Sequence, residues 1–319
     1  MPRKPDSRDW VILFALTIFW GTAFLFNELA LRSFPPAVVV ALRTTVALSM
    51  LLVALRYSGS RLPPPGRGWA AIGLVAALGT IIPFNLVAWA QQHIDSSLTA
   101  VLMAIMPLYV ITLSHYFVPG QRLNAFRVAG FALGFAGVLM VIGPDLGSLG
   151  SSNVELWAML AALAAALSYA AGSVMARRIG EQDPLTLSSG TLLVSAVCTG
   201  AFALPEVNSI QWPVAPESAA AIAILGVIAT ALSTVLFFRL VQGPGPAFLS
   251  IVNYLVPAWA VLVGAIILNE PLSSAVLGGL ALILTGIAIS EAGQWLARVV
   301  SIKRAARVLA GAVATSEKP

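Results

Sequence analysis

The sequence predicts an all-α membrane protein of ten transmembrane helices, arranged as two inverted five-helix repeats. Three observations lead there: hydropathy, the placing of positive charge, and an internal match between the halves. Of the 319 residues, 59% are hydrophobic and only 10% are charged, and mean hydropathy is +0.91. A soluble domain carries about 25% charged residues. Apolar stretches of about 20 residues recur, each enough to cross a hydrocarbon core roughly 30 Å thick. They are apolar throughout, without two-residue alternation, so they read as helices and not as barrel strands.

Taken in order, the spans are 10–31, 36–56, 69–91, 96–118, 125–143, 155–177, 184–204, 218–241, 246–268 and 272–292. The first follows a basic start, but its apolar run is too long for a signal-peptide core and lacks a small-residue cleavage site, so it counts as a span. The second carries Arg43 and the third Thr80 and Pro83. The fourth holds Met103 and Pro107, and the fifth a glycine face at Gly130, Gly134 and Gly137. The sixth brings Ser168 and Tyr169; the seventh is plain apart from Cys198, the only cysteine. Thr230, Ser233 and Thr234 lie in the eighth, Asn253, Tyr254 and Pro257 in the ninth, and Gly278, Gly279 and Gly286 in the tenth. The longest connections, 57–68, 144–154 and 205–217, are rich in Pro, Gly and Ser. With one cysteine there is no disulfide framework and no thiolate cluster.

Lysine and arginine fix the orientation. With a cytoplasmic amino terminus, 16 of the 18 fall on the cytoplasmic side; only Arg32 falls on the other, and Arg43 lies within a span. Both ends are then cytoplasmic, the expected compartment is a bacterial cytoplasmic membrane, and the basic residues owe their number to topology and not to nucleic acid.

The halves match each other. At an offset of 150, Thr80 falls on Thr230, Gln92 on Gln242 and Pro107 on Pro257; at 149, Trp20 falls on Tyr169, Pro35 on Pro184, Leu123 on Leu272, Gly130 on Gly279 and Gly137 on Gly286. Each half has five spans, an odd number, so the second enters the membrane upside down. Inverted repeats are a construction of secondary transporters, with the substrate at the repeat interface. The division expected is 1–147, 148–293 and a basic amphipathic tail, 294–319.

Trp20-Gly21, Arg43, the stretch ending at Pro107 and "VPAWAVLVGAIILNEPL" followed by "GGLALILTGIAI" together resemble the drug/metabolite transporter superfamily, in particular its ten-helix EamA family and the YddG-type amino-acid exporters within it. The resemblance covers residues 10–292 and implies export of amino acids or other small metabolites, or drugs. One departure is plain: the family's usual glutamate after the fourth helix is Gln121 here, whereas Glu270 follows the ninth.

Counting rise per residue places Trp20, Gly21, Thr80, Pro83, Met103, Pro107, Ser168, Tyr169, Thr230, Ser233, Asn253, Tyr254 and Pro257 near the membrane middle. They form an expected substrate lining that is aromatic, hydroxylic or amide and uncharged, with Pro107, Pro257 and Gly21 as kink or gating positions. Proline removes a backbone donor, which a membrane tolerates where neighbours or cavity water satisfy the freed carbonyl. The plainer alternatives are packing kinks and polar side chains that fasten helix to helix. Arg43 has two readings: an ion pair with Glu28, or a receptor for a substrate carboxylate. Glu270 reads as a cap on the helix that Pro271 begins. His93 and His115 read as interfacial or structural histidines. No carboxylate lies at the membrane centre, which argues against a central proton relay. No H-E-x-x-H or G-x-S-x-G appears, so an intramembrane enzyme is not expected, nor are a metal or cofactor. A channel filter is not visible. Partners are a small-molecule substrate and the bilayer, and a monomer is favoured over a homodimer.

Overall fold

A computed structural model describes residues 4–118, 123–143, 154–176, 183–242, 244 and 246–292. The tail at 294–319 and Gln121 lie outside these residues. Among the described residues nine helices are long and apolar enough to cross a membrane: α1 Ser7–Leu31, α2 Pro36–Ser58, α3 Gly68–Ala90, α4 Ser96–Phe117, α5 Ala125–Ile142, α6 Val154–Ala176, α7 Pro184–Ser209, α8 Pro216–Phe237 and α10 Ser274–Ala292, with the shorter apolar α9, Val252–Ile267, between the last two. These agree with the ten predicted spans to within a few residues, except at α9. Its helix does not run unbroken from 246, because a short turn of helix at Pro246–Leu249 is separated from it by Ser250 and Ile251.

Local chemistry sets the ends. Asp6 and Asp9 close a reciprocal capping box, each accepting the other's backbone N–H at 3.0 Å. Asn124 accepts from the Arg127 N–H at 2.9 Å to start α5, and Asp183 from that of Thr186 at 3.0 Å to start α7. Pro36, Pro184 and Pro216 occupy first turns, where no partner exists for an N–H anyway. Gly59, at φ 74°, ends α2 in the left-handed conformation. The outward faces are apolar: Val11, Phe14 and Ile18 of α1 and Ile266 of α9 are all exposed, as a lipid-facing surface requires.

The largest apolar cluster joins α4, α5, α6 and α10 around Leu102, Ile105, Leu108, Leu156 and Ile283. A second joins α1, α2 and α8 through Ala30, Val39 and Leu225, and a third packs Leu13 and Leu16 of α1 on Leu240, Phe248 and Val252. Two glycine faces meet at the α5–α10 crossing. A Cβ on Gly130 would collide with the Gly286 carbonyl and the Ser290 hydroxyl, and one on Gly137 would stand 2.7 Å from the Gly279 carbonyl. Between helices in lipid, dispersion and close approach replace the hydrophobic drive, and here the glycines let backbone touch backbone.

Two helices are irregular at matching places. α3 passes through a π-helical segment at Ala77–Ile81 and α8 through one at Leu225–Leu232. Thr80 and Thr230, 150 residues apart, fall one in each. A π turn widens the helix, misaligns its carbonyls and is common at functional sites. Here the displaced carbonyls are met by hydroxyls: Leu78 by Ser168 Oγ, Leu225 by Thr230 Oγ1 and Ile228 by Ser233 Oγ, each at 2.8 Å.

Candidate transport site

Arg43 lies in α2, about two turns from the end that starts at Pro36. Its Nε donates to Thr230 Oγ1 at 2.9 Å, and its guanidinium carbon lies 3.9 Å from the centre of the Phe84 ring. Phe84 in turn meets Tyr169 at 6.1 Å between ring centres, and Tyr169 lies within electrostatic range of Arg43. Four helices therefore converge: α2 with Arg43, α3 with Phe84, α6 with Tyr169 and α8 with Thr230. Arg43 is partly buried. Among the described residues its only hydrogen bond is through Nε, so the paired Nη groups stay uncommitted. The fork is held by its inner nitrogen and its flat face, with its outer edge left over.

The sequence reading paired Arg43 with Glu28, and this is corrected. Glu28 Oε2 is sealed from solvent with no hydrogen-bond partner, and Arg43 engages Thr230 and Phe84 instead. The reading of Glu270 as a cap on the helix that Pro271 begins is also corrected. Its carboxylate accepts the backbone N–H groups of Ser96 and Ser97, each at 2.8 Å, and the Ser97 hydroxyl. It therefore caps α4, on the other half of the chain. Asn269, at φ 55°, turns the chain back toward α4, and Gly264 leaves room: a Cβ there would collide with Glu270 Oε2.

The remaining expected site residues make other contacts. Thr80 and Pro83 are buried in and just beyond the π segment of α3. The hydroxyls of Ser168 and Ser233 are both committed to π-segment carbonyls and both side chains are buried, so they fasten the irregular helices. Trp20 stands 6.0 Å from Phe237 between ring centres, against the α1–α8–α9 cluster. Gly21 allows α1 to cross α9, since a Cβ would come 2.6 Å from Trp259. Met103 and Tyr254 pack on the large cluster.

The prolines act at breaks more than as simple kinks. α4 is interrupted at Ala104 and Ile105, and Pro107 lies in the first turn of the resumed helix; Pro257 stands inside α9, six residues past Ile251. Having no N–H, they leave the carbonyls of Met103 and Asn253 without the donor four residues on. Asn253 and Tyr254 sit in the first turn of α9, just past the break at Ser250 and Ile251. Asn253 is exposed, yet at about 100° per residue it shares a face with Pro257, Ala260 and Gly264, all buried, while Ala258, Leu262 and Ile266 mark the opposite, exposed face.

Sequence reading passed over Phe84, Ser96, Ser97 and the buried pair in which Asn27 Nδ2 donates to Gln91 Oε1 at 2.7 Å while Gln91 Nε2 donates to the Phe24 carbonyl at 3.0 Å. Asn27 and Gln91 were visible as amides inside apolar spans. Phe84 carried no such signal, because one phenylalanine among apolar residues looks like any other. His93 rests edge-on against Trp89, and His115 Nδ1 accepts the Leu123 N–H at 3.2 Å.

Known proteins bear on this arrangement. The EamA-like transporter family matches the chain twice, at residues 9–143 and 156–291. The chain is 27% identical to the uncharacterized transporter YvbV of Bacillus subtilis over 299 residues, covering 91% of this chain and 93% of that protein. It is 27% identical to the uncharacterized inner membrane transporter YedA of Escherichia coli K12 over 290 residues, 89% of this chain and 90% of YedA. Protein PecM of Dickeya dadantii is 25% identical over 276 residues, 85% of this chain and 88% of PecM. One crystal structure superposes with a TM-score of 0.66 at 24% identity, across 93% of this chain and 99% of that one, a likeness of fold. Ten apolar helices, matched irregularities in α3 and α8, and a family match over both halves place the chain in the EamA-like transporter family: it is a multi-pass membrane transporter of the drug/metabolite transporter superfamily.

Proposed function

We propose that this protein exports small metabolites, amino acids with apolar or aromatic side chains foremost, across a bacterial cytoplasmic membrane, with both termini cytoplasmic. The supporting halves are residues 1–147 and 148–293, oppositely oriented, rocking about a site between them. The observation that carries the reading is Arg43. An arginine inside a membrane costs at least about 2.5–3.5 kcal/mol, and this one is held by a neutral hydroxyl and an aromatic ring, with no carboxylate against it among the described residues. A substrate carboxylate docking on the Nη edge would supply the missing charge in bidentate geometry.

Phe84, Tyr169 and Trp20 offer aromatic surface to an apolar body. Thr80, Thr230, Asn253 and Tyr254 offer neutral polar contacts, and the carbonyls of Met103 and Asn253 that Pro107 and Pro257 leave over suit an ammonium group. The glycine faces of α5 and α10 are already committed to each other, which supports a monomer. The test is flux in proteoliposomes loaded with L-phenylalanine and challenged with amino acids, cationic drugs and nucleotide sugars. Saturable exchange and counterflow, competed by amino acids, support the reading. Competition by the drugs alone would make it a drug exporter, and non-saturating conductance a channel.

A further inference from the structure

A second contact joins the halves far from Arg43. Glu270, between α9 and α10, reaches across to the amino end of α4 and takes the N–H groups of Ser96 and Ser97 and the Ser97 hydroxyl. Ser96 and Ser97 are 1% and 2% exposed, so this charge-assisted bond sits in the joint. Asp95, which by position should cap α4, makes no side-chain cap bond. The helix has handed its amino end to a residue 174 positions away. The groove is shaped for the purpose: Gly264 lets α9 approach, and the Glu270 N–H bonds back to the Gly264 carbonyl at 3.3 Å.

The other face has no such fastening in its sequence. At the repeat offset, Gln121 stands for Glu270, and Pro246 and Ala247 stand for Ser96 and Ser97. The carboxylate becomes a neutral amide, and one of the two N–H donors is lost to proline. Behind Glu270 lies Glu28, whose Oε2 is enclosed without a hydrogen-bond partner. The charged groups within reach of Glu28 are Glu270 from the α9–α10 turn, Arg32 just past the end of its own helix and Asp95 from the α3–α4 turn.

We propose that Glu270 is the latch that shuts the membrane face opposite the chain termini, by holding the second half onto the amino end of α4, and that a negative charge on Glu28 works the latch loose by repelling Glu270. The proposal rests on the alternating-access reading, since a latch matters only if the face opens. A charge-assisted bond to paired backbone N–H groups is about twice as strong as a neutral one, so this face is the harder to open, and the molecule at rest opens toward the side of its termini.

The experiment follows the joint itself and needs no known substrate. Ala100 lies on α4 one turn below Ser96, is buried, and on the same helix face faces the joint. In a Cys198→Ser background, Ala100→Cys is labelled by a membrane-impermeant maleimide in right-side-out vesicles. Glu270→Gln should raise the labelling rate roughly tenfold, the equivalent of one charge-assisted bond, and Ser97→Ala by a smaller factor in the same direction. Glu28→Gln should lower the rate below that of the unaltered protein, which a merely structural role would not do. Unchanged labelling in Glu270→Gln and Ser97→Ala, or faster labelling in Glu28→Gln, overturns the latch. A labelling response without L-phenylalanine counterflow in proteoliposomes keeps the latch and removes the proposed amino-acid substrate.

Discussion

Arg43 shows how much one residue can carry and how it is found. Its charge within an apolar span was plain from sequence, and so was the need for a partner. The partner was not, because a hydroxyl 187 residues away and a ring on a third helix leave no local trace. If Arg43 receives a carboxylate, Arg43→Gln should raise the KM for L-phenylalanine at least about tenfold, from the roughly 1.5–3 kcal/mol of a hydrogen bond to a charged group, while leaving phenylalaninamide, which lacks the carboxylate, unaffected. Thr230→Val should raise the same KM by a few-fold, because the fork loses its inner anchor but keeps its edge. Both are read from initial rates in proteoliposomes; equal losses on acid and amide would assign Arg43 to packing.

At the scale of elements, helix ends and crossings make the predictions. Asp183 is bonded by the Thr186 hydroxyl and N–H, and these bonds hold its carboxyl below the usual range. Its contribution to stability is present at neutral pH and is lost as pH falls through the lowered pKa. Asp95 is the reverse case. Though partly open to solvent, its carboxyl is raised by desolvation first, then by the charges of Glu270 and Glu155. The folded protein holds that proton more tightly than the unfolded chain does, so stability declines as pH rises from about 4. Melting in detergent should therefore show Asp183→Asn lowering Tm at pH 7, and Asp95→Asn raising it at pH 7 with the gain gone below about pH 4. At the α5–α10 crossing, Gly130→Ala should destabilise strongly, because the methyl meets the Gly286 backbone. Gly134→Ala should be milder, since it meets the movable end of Leu108. The spans, caps and glycine faces were legible in sequence because each is a local pattern. The π segments were not, since a single inserted residue in a helix leaves hydropathy unchanged, and neither was the break at Ser250 and Ile251.

For the whole molecule, the halves match each other in sequence at offsets of 149 and 150, and the EamA-like family model matches twice, at residues 9–143 and 156–291. What sequence could not supply is which side chains bridge them. The bridges, Arg43 to Thr230 and Glu270 to α4, join residues without a shared pattern, set by how one bundle lies on the other. Lipid at the rim can yield; two bare backbones in contact at Gly130 and Gly286 cannot slide without leaving a void. If the halves rock as proposed, the swing turns about that outer pair as a door turns about its post, with the free edge at Glu270.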